Sequence, residues 1–379
     1  MEIYLDNNAT TALSLPVLQK QILALKYTYG NPSDPYGLGV VAKREVEEAR
    51  DRIADLIGAN SSCDKLIFTG CASEANNAVF NSAIKKYPNK KHIVVSSVEH
   101  LSVLEVARNL EASGYEVTYV PVNQNGELDL SYFKNMLRED TLLVSIMTAN
   151  NETGVIYPID EIVQIVHSVS PDILTHTDAV QAIGKIPTDV KRSGVDFLSL
   201  SGHKFHAPKG VGALYIRAGV DFIPFIVGGH QESRQRAGTE NTSSIIAMGE
   251  AAVYARESAT NQEKIQQLRR DMESALSTLP VDSFIVGANS PRLSNTTSIA
   301  FANRSGYELM LKLAAMGICV STGSACNSEN ESPSHVIKAM ALPEKFQRPI
   351  RISLSNDTTQ DEIDRFVGVL KSLLIKKGR

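Results

Sequence analysis

The sequence predicts an α/β protein built around a mostly parallel sheet. Short β-branched or apolar runs recur between about residues 60 and 220, and helix-length pieces separate several of them. Runs that stay apolar along their length suit parallel strands, whose crossovers cover both faces of the sheet. The composition agrees: 379 residues with 43% hydrophobic and 21% charged side chains provide ample chain for a core and a second, smaller unit.

In chain order, the helix before the sheet comes first. Val46, Ala49, Ile53, Leu56 and Ile57 recur at helical spacing and stop at Gly58, an amphipathic helix closed by a glycine. The strands follow: Leu66 to Phe68, Ile93 to Ser96, Val117 to Val120, Leu142 to Met147, Ile173 to His176, Phe197 to Leu200 and Ala213 to Ile216. Helices are expected over 75–84, 101–112 and 159–169. After Gly228-Gly229 a long segment of helical period, Ile245 to Leu279, is expected to carry the chain into a compact α+β part. There, strands are read near 298–301 and 351–354 and helices near 307–316 and 360–374.

Composition also excludes function classes. With 38 Lys+Arg against 42 Asp+Glu the formal net charge is −4, and no basic face concentrates for direct nucleic-acid binding. No apolar stretch approaches the roughly 18 residues of a membrane span, and the N-terminus lacks a leader pattern, so a cytoplasmic protein with no membrane partner is expected. Cys63, Cys71, Cys319 and Cys326 form no CxxC pair and read as reduced thiols. His203 and His206 stand three apart, but nothing completes a metal site around them and the intervening lysine repels a cation. No metal is expected.

Ligands of such sheets bind outside the carboxyl ends of the strands. Thr69-Gly70-Cys71-Ala72-Ser73-Glu74 places small residues at a helix start, suited to a phosphate. Later strand ends lead to Glu99-His100, Asn150-Asn151, Asp178 with Gln181, and Ser201-Gly202-His203-Lys204. Singly, each has an ordinary structural explanation, such as a helix cap for Asp178 or solvated surface for a lysine. Together they supply an amine, a carboxylate, a flat ring and an anion seat, which is what pyridoxal 5'-phosphate requires.

The stretches Asn150 to Gly154, His176 to Gln181 and Ser201 to Gly210 resemble the signatures of the class-V aminotransferase family, and within it the cysteine desulfurases of nitrogen fixation and iron-sulfur cluster assembly. Tyr4 to Thr11, Gly30 to Ser33, Arg236 to Asn241 and Ser321 to Cys326 match as well, so the resemblance spans essentially the whole chain. It implies the fold-type-I architecture of pyridoxal-phosphate transferases: a seven-stranded, mainly parallel sheet, a smaller C-terminal α+β domain and a homodimer. The corresponding division is an N-terminal segment 1–15 joining the small domain, a large domain 16–255 and a small domain 256–379.

The resemblance also implies roles. Lys204 would carry the cofactor as a Schiff base and move protons, Asp178 would pair with the ring nitrogen, Gln181 with the ring oxygen, and His100 would stack on the ring. Ala72, Ser73, Ser201 and His203 would hold the phosphate, helped by Thr239 of a second subunit. Asn151 and Arg351 would hold the substrate, Arg351 through its carboxylate. L-cysteine is the expected substrate and a sulfur-acceptor protein the expected partner.

Cys326 is the candidate nucleophile, following small residues and preceding the polar run from Asn327, where an exposed mobile loop is expected. Cys319 reads as a buried apolar residue, Cys63 as incidental, and Cys71, standing where the family commonly has glycine one residue before the phosphate seat, as structural, with a second thiol near the cofactor as the alternative. Tyr36 and Ser355 depart from the family pattern at positions that border the pocket or the dimer surface in the family. The competing functions are selenocysteine lyase, another class-V aminotransferase, and a non-catalytic pyridoxal-phosphate-binding protein.

Overall fold

In the computed structural model the described residues are 2–323 and 332–375. The chain opens with β1 (Ile3–Tyr4), α1 (Leu15–Tyr27) and α2 (Gly37–Leu56). The sheet region then runs β2 (Lys65–Thr69), α3 (Ala72–Lys86), β3 (His92–Ser96), α4 (Leu101–Ala112), β4 (Glu116–Val120), α5 (Leu130–Met136) and β5 (Thr141–Ser145). It continues through α6 (Ile159–Val169), β6 (Leu174–Asp178), α7 (Val190–Ser193), β7 (Phe197–Ser201) and β8 (Gly212–Ile216). After it come α8 (Thr242–Glu257), α9 (Gln262–Ser277), β9 (Ser283–Ile285), β10 (Thr296–Phe301), α10 (Gly306–Ala314), β11 (Ile318–Cys319), α11 (His335–Ala339), β12 (Ile350–Ser353) and α12 (Gln360–Ile375).

The seven-stranded sheet has the order β2-β8-β7-β6-β5-β3-β4. Its pairings are parallel except those of β8, which runs antiparallel to both β2 and β7. The mainly parallel sheet expected from the apolar runs is therefore present. Strands β3, β5, β6, β7 and β8 are buried along their whole length, as helix-covered strands must be. Helices α4 and α6 occupy the residues their periodicity predicts, and α6 turns Ile159, Ile162, Val163 and Val166 inward.

A three-stranded antiparallel sheet, β12-β10-β9, forms a second layer with α9, α10 and α12. Its core gathers Leu268, Met272, Phe301, Leu313, Ile352, Phe366 and Leu370, together with Ile3 and Leu5 from the start of the chain. Strand β1 reaches this core by pairing in parallel with β11, Ile3 opposite Ile318.

Three expectations need correction. The segment 245–279 is not one helix: it breaks at Ser258–Asn261, where the Ser258 hydroxyl donates to the Tyr254 carbonyl and competes with the helical ladder. Strands β6 and β7 run on to Asp178 and Ser201, so those two residues end strands rather than follow them. Cys319 is only partly buried, because β11 lies against the two-residue β1 and its thiol meets the Glu2 carboxylate at 3.3 Å. The loop expected around Asn327 to Pro333, like Cys326, lies for the most part outside the described residues.

Candidate active site

The sheet's strand ends, the start of the chain and β12 enclose a cavity of about 320 Å³. On one wall, α3 begins at Ala72 with Cys71 as its extended N-cap, so first-turn N–H groups that lack helical partners face the cavity beside Ala72 and Ser73. Close passage of β8 builds this corner: a Cβ on Gly212 would lie 3.0 Å from the Cys71 carbonyl carbon and 2.7 Å from the Leu200 oxygen, so only glycine fits. Ser201 and His203 close the same corner, and His203 Nδ1 lies 3.2 Å from the Thr10 hydroxyl.

Asp178 ends β6 with its carboxylate fixed from two sides. Asn76 of α3 donates to Oδ2 at 2.9 Å, and the Val180 N–H donates to Oδ1 at 3.0 Å. His100 caps α4, its Nδ1 accepting from the Ser102 N–H at 3.1 Å, which leaves the ring facing the cavity. Desolvation holds this imidazole below its ordinary pKa, with Asp178 pulling upward and Lys204 pushing down.

Lys204 follows β7 on a short 3₁₀ turn and donates to the carbonyls of Asn8 and Ala9 at 2.7 and 2.8 Å. Its amine is pushed down to about 8, first by desolvation and then by Arg351, against the opposing pull of Asp178 and Asp6. A lysine at that value is partly unprotonated near neutrality, as a nucleophilic amine needs to be.

Asn151 and Arg351 form the facing wall. Arg351 donates from Nη1 to the Asn151 carbonyl at 2.9 Å and pairs through Nη2 with Asp6 at 2.6 Å. Among the described residues its buried Nε has no partner, a donor available to an anion.

The donor set fits pyridoxal phosphate. An amine, a buried carboxylate opposite a helix-start anion seat, an imidazole face and a guanidinium converge on one cavity. Every predicted site residue among the described ones lines it, apart from Thr239. Thr239 is exposed and does not line this chain's cavity. Among the described residues no group of three metal-ligating side chains occurs.

Two features were not read from the sequence. Asn8 and Ala9 form part of the cavity wall, although the match of Tyr4 to Thr11 hinted at them. Lys185 donates to Gln181 Oε1 at 2.6 Å and to Asn8 Oδ1 at 3.1 Å; its spacing of four residues from Gln181 was the available signal. Cys71, read as structural with a place near the cofactor as the alternative, is exposed and borders the cavity, because the N-cap it occupies is the cavity's edge. Tyr36 is exposed and bonds Asp34, away from the cavity, while Ser355 borders a smaller neighbouring hollow with Lys204.

The aminotransferase class-V family model matches residues 3–366, and the chain belongs to that family. More particularly, it is similar to cysteine desulfurases. Cysteine desulfurase 2 of Trichormus variabilis is 44% identical over 373 residues, covering 98% of this chain and 93% of the relative. Cysteine desulfurase NifS of Azotobacter vinelandii is 40% identical over 368 residues, covering 97% and 91%. A solved NifS-like protein superposes with a TM-score of 0.92 at 37% identity over 99% of both chains. A structure of SspA in complex with cysteine superposes at 0.82 and 31% identity, covering 95% of this chain and 100% of the other.

Proposed function

We propose that the chain is a pyridoxal-phosphate-dependent cysteine desulfurase, which takes the sulfur of L-cysteine and leaves L-alanine. The observation that carries this reading is the meeting of the Lys204 amine, the Asp178 carboxylate and the Arg351 guanidinium on one cavity. The cysteine desulfurases among its relatives and the cysteine held by SspA support the substrate.

When bound, pyridoxal phosphate supplies an electron sink for an amino acid's α-carbon. The α3 N-terminus with Ala72 and Ser73, and Ser201 with His203, would hold its phosphate. Asp178 would keep the ring nitrogen charged, and Gln181 and His100 would complete the ring's binding. Arg351 and Asn151 orient the substrate, and Lys204 holds or moves the proton at its α-carbon. The thiolate of Cys326 attacks the substrate sulfur, the carbon–sulfur bond breaks with its electron pair going to carbon, and protonation there releases alanine. The sulfur stays on Cys326 as a persulfide for an acceptor protein.

A homodimer belongs to the same reading. Leu15, Ile22, Leu23, Leu25, Tyr27 and Tyr29 stay exposed on and just after α1. A second copy is the occupant that would both cover this face and place its own Thr239 at the phosphate. The division into 1–15, 16–255 and 256–379 and a cytoplasmic location go with this proposal. The second core around Phe366 supports the former.

The test is alanine release from L-cysteine with a thiol reductant present. The unaltered chain should turn over and Cys326→Ser should lose the activity. Turnover unchanged in Cys326→Ser would favour a selenocysteine lyase or aminotransferase instead. A Lys204→Ala chain that releases no alanine yet keeps its full biological activity in the host would point to a protein that binds the cofactor without catalysis.

A further inference from the structure

Glu152 takes no part in the roles above. It sits in the tight turn after β5, where Asn150 Oδ1 accepts from the Glu152 N–H at 2.9 Å, and it is 3% exposed. A carboxyl in such a place costs stability unless it is bonded, and an apolar side chain would seal this wall more cheaply. What Glu152 touches explains why it is there.

Two stretches of chain meet on its side chain, one on each side of residues 324–331. On the N-terminal side, Ser321 exchanges both backbone hydrogen bonds with Arg351, at 3.1 and 2.6 Å. Gly323 follows with φ of 91°, and a Cβ added to it would lie 3.1 Å from Glu152 Cγ and Oε2. On the C-terminal side, Ser334 donates its hydroxyl to Glu152 Oε2 at 2.6 Å while accepting from the Ile337 N–H at 3.2 Å as the cap of α11. The proton of Ser334 is thereby committed to Glu152 and its lone pair to the helix. Burial holds the carboxyl up at about 7, against the Ser334 bond and the charge of Arg351.

We infer that Glu152 is a positioning residue, bonded to Ser334 on one flank of segment 324–331 and packed against Gly323 on the other, so that the Cys326 thiol is presented to the substrate. Position 326 is three Cα–Cα steps from Gly323, about 11 Å at full extension, so fixing Gly323 bounds the reach of the thiol. An anchored flank raises the thiol's effective concentration at the cavity. The inference rests on the desulfurase reading and adds a residue that orders the nucleophile without touching substrate.

The experiment uses the full chain loaded with pyridoxal phosphate, carrying Ser334→Ala, and compares two substrates. L-cysteine needs the thiol. 3-Chloro-L-alanine does not: it loses its α-proton and chloride by elimination and, taking up one water, goes on to pyruvate and ammonium. Initial alanine release from cysteine should fall about tenfold or more, with the half-saturating cysteine concentration within threefold of the unaltered chain. The initial rate on chloroalanine should stay within twofold, and Ser334→Thr, which keeps the hydroxyl, should restore cysteine turnover.

Gly323→Ala acts from the other flank and should repeat this pattern if Ser334→Ala fails to fold. Hydrogen exchange on the chain without cofactor adds a readout that needs no turnover. Ser334→Ala should speed exchange at the amides of Ser321 to Gly323 as well as at α11. Equal losses on both substrates, unchanged cysteine turnover, or faster exchange confined to α11 would each overturn the positioning role. An unaltered chain that releases no alanine from cysteine would overturn the desulfurase reading instead.

Discussion

Arg351 and Asp6 form an ion pair of 2.6 Å between β12 and the chain's first turn, with side chains 4% and 19% exposed. The pair joins two pieces 345 residues apart and aims the guanidinium at the cavity, beside the Asn151 carbonyl. A planar fork held this way presents its remaining donor in a fixed direction.

Substituting Arg351→Lys should therefore raise the KM for L-cysteine by about 10- to 100-fold, the size of a lost charge-assisted hydrogen bond of about 1.5–3 kcal/mol. Asp6→Asn keeps the arginine but loosens its aim, and a severalfold increase is expected. Steady-state kinetics on both variants check this. An unchanged KM in Arg351→Lys would remove the carboxylate role.

The Lys204 amine, held down to about 8 chiefly by desolvation, should react with added cofactor at a rate that rises with pH and levels off above about 8. The sign follows from the depressed value: the unprotonated, nucleophilic form dominates above it. An ordinary lysine would go on gaining rate to about 10.4. Stopped-flow absorbance on the apo chain reads the midpoint, and Lys204→Ala should abolish the visible absorbance that develops as the amine joins the added cofactor's aldehyde.

Lys185 holds Gln181 Oε1 at 2.6 Å, so the carboxamide's Nε2 is turned toward the Asn8 carbonyl at 2.9 Å. Desolvation, with the charges of Lys204 and Arg351, drives the Lys185 amine well below its ordinary range. Lys185→Met should weaken cofactor retention severalfold, the scale of one net hydrogen bond of about 1 kcal/mol. Equilibrium dialysis of the cofactor measures it, and unaltered retention would assign Lys185 to packing.

Glu232 is the stability counterpart. Its carboxylate takes two bonds from Arg50, at 2.7 and 3.0 Å, and one from the Phe68 N–H at 3.0 Å, with 4% of the side chain exposed. Removing it with Glu232→Ala leaves Arg50 with Glu47 and the Leu66 carbonyl but takes the acceptor from the Phe68 N–H, and a loss of about 1–3 kcal/mol is expected in urea unfolding. A loss under 1 kcal/mol would mean that solvent reaches Arg50 freely.

The exposed apolar face of α1 gives the assembly a direct check. Ile22→Glu with Leu25→Glu should shift the chain from dimer to monomer in sedimentation and loosen the cofactor, whereas Thr239→Val should loosen the cofactor and leave the dimer. A monomeric unaltered chain would remove both expectations.

Much of this fold was legible because its periodicities are local. Helix α6 could be bounded from Ile159, Ile162, Val163 and Val166 alone, and the buried strands announced themselves as apolar runs. The break at Ser258 was not legible, since the helical pattern continues through it and only the bond from the Ser258 hydroxyl to Tyr254 reveals the competition. Cys319 was misjudged for a related reason: Val320 and Ile318 are buried beside it, but its own thiol points to Glu2 at an edge the pattern does not mark.

The residues alone determined which chemical groups stand at the strand ends, because alternating strands and helices deliver those ends to one side of a parallel sheet. Lys204, Asp178 and His100 were identified in that way, whereas Arg351, inside a strand of the small antiparallel sheet, came from the family resemblance. Only the tertiary structure decided that Asn8 receives Gln181, Lys185 and Lys204 across about 180 residues, and that Glu152 meets both Gly323 and Ser334. Such meetings depend on how the small sheet and the first turn close over the large one, and no local spacing encodes that closure.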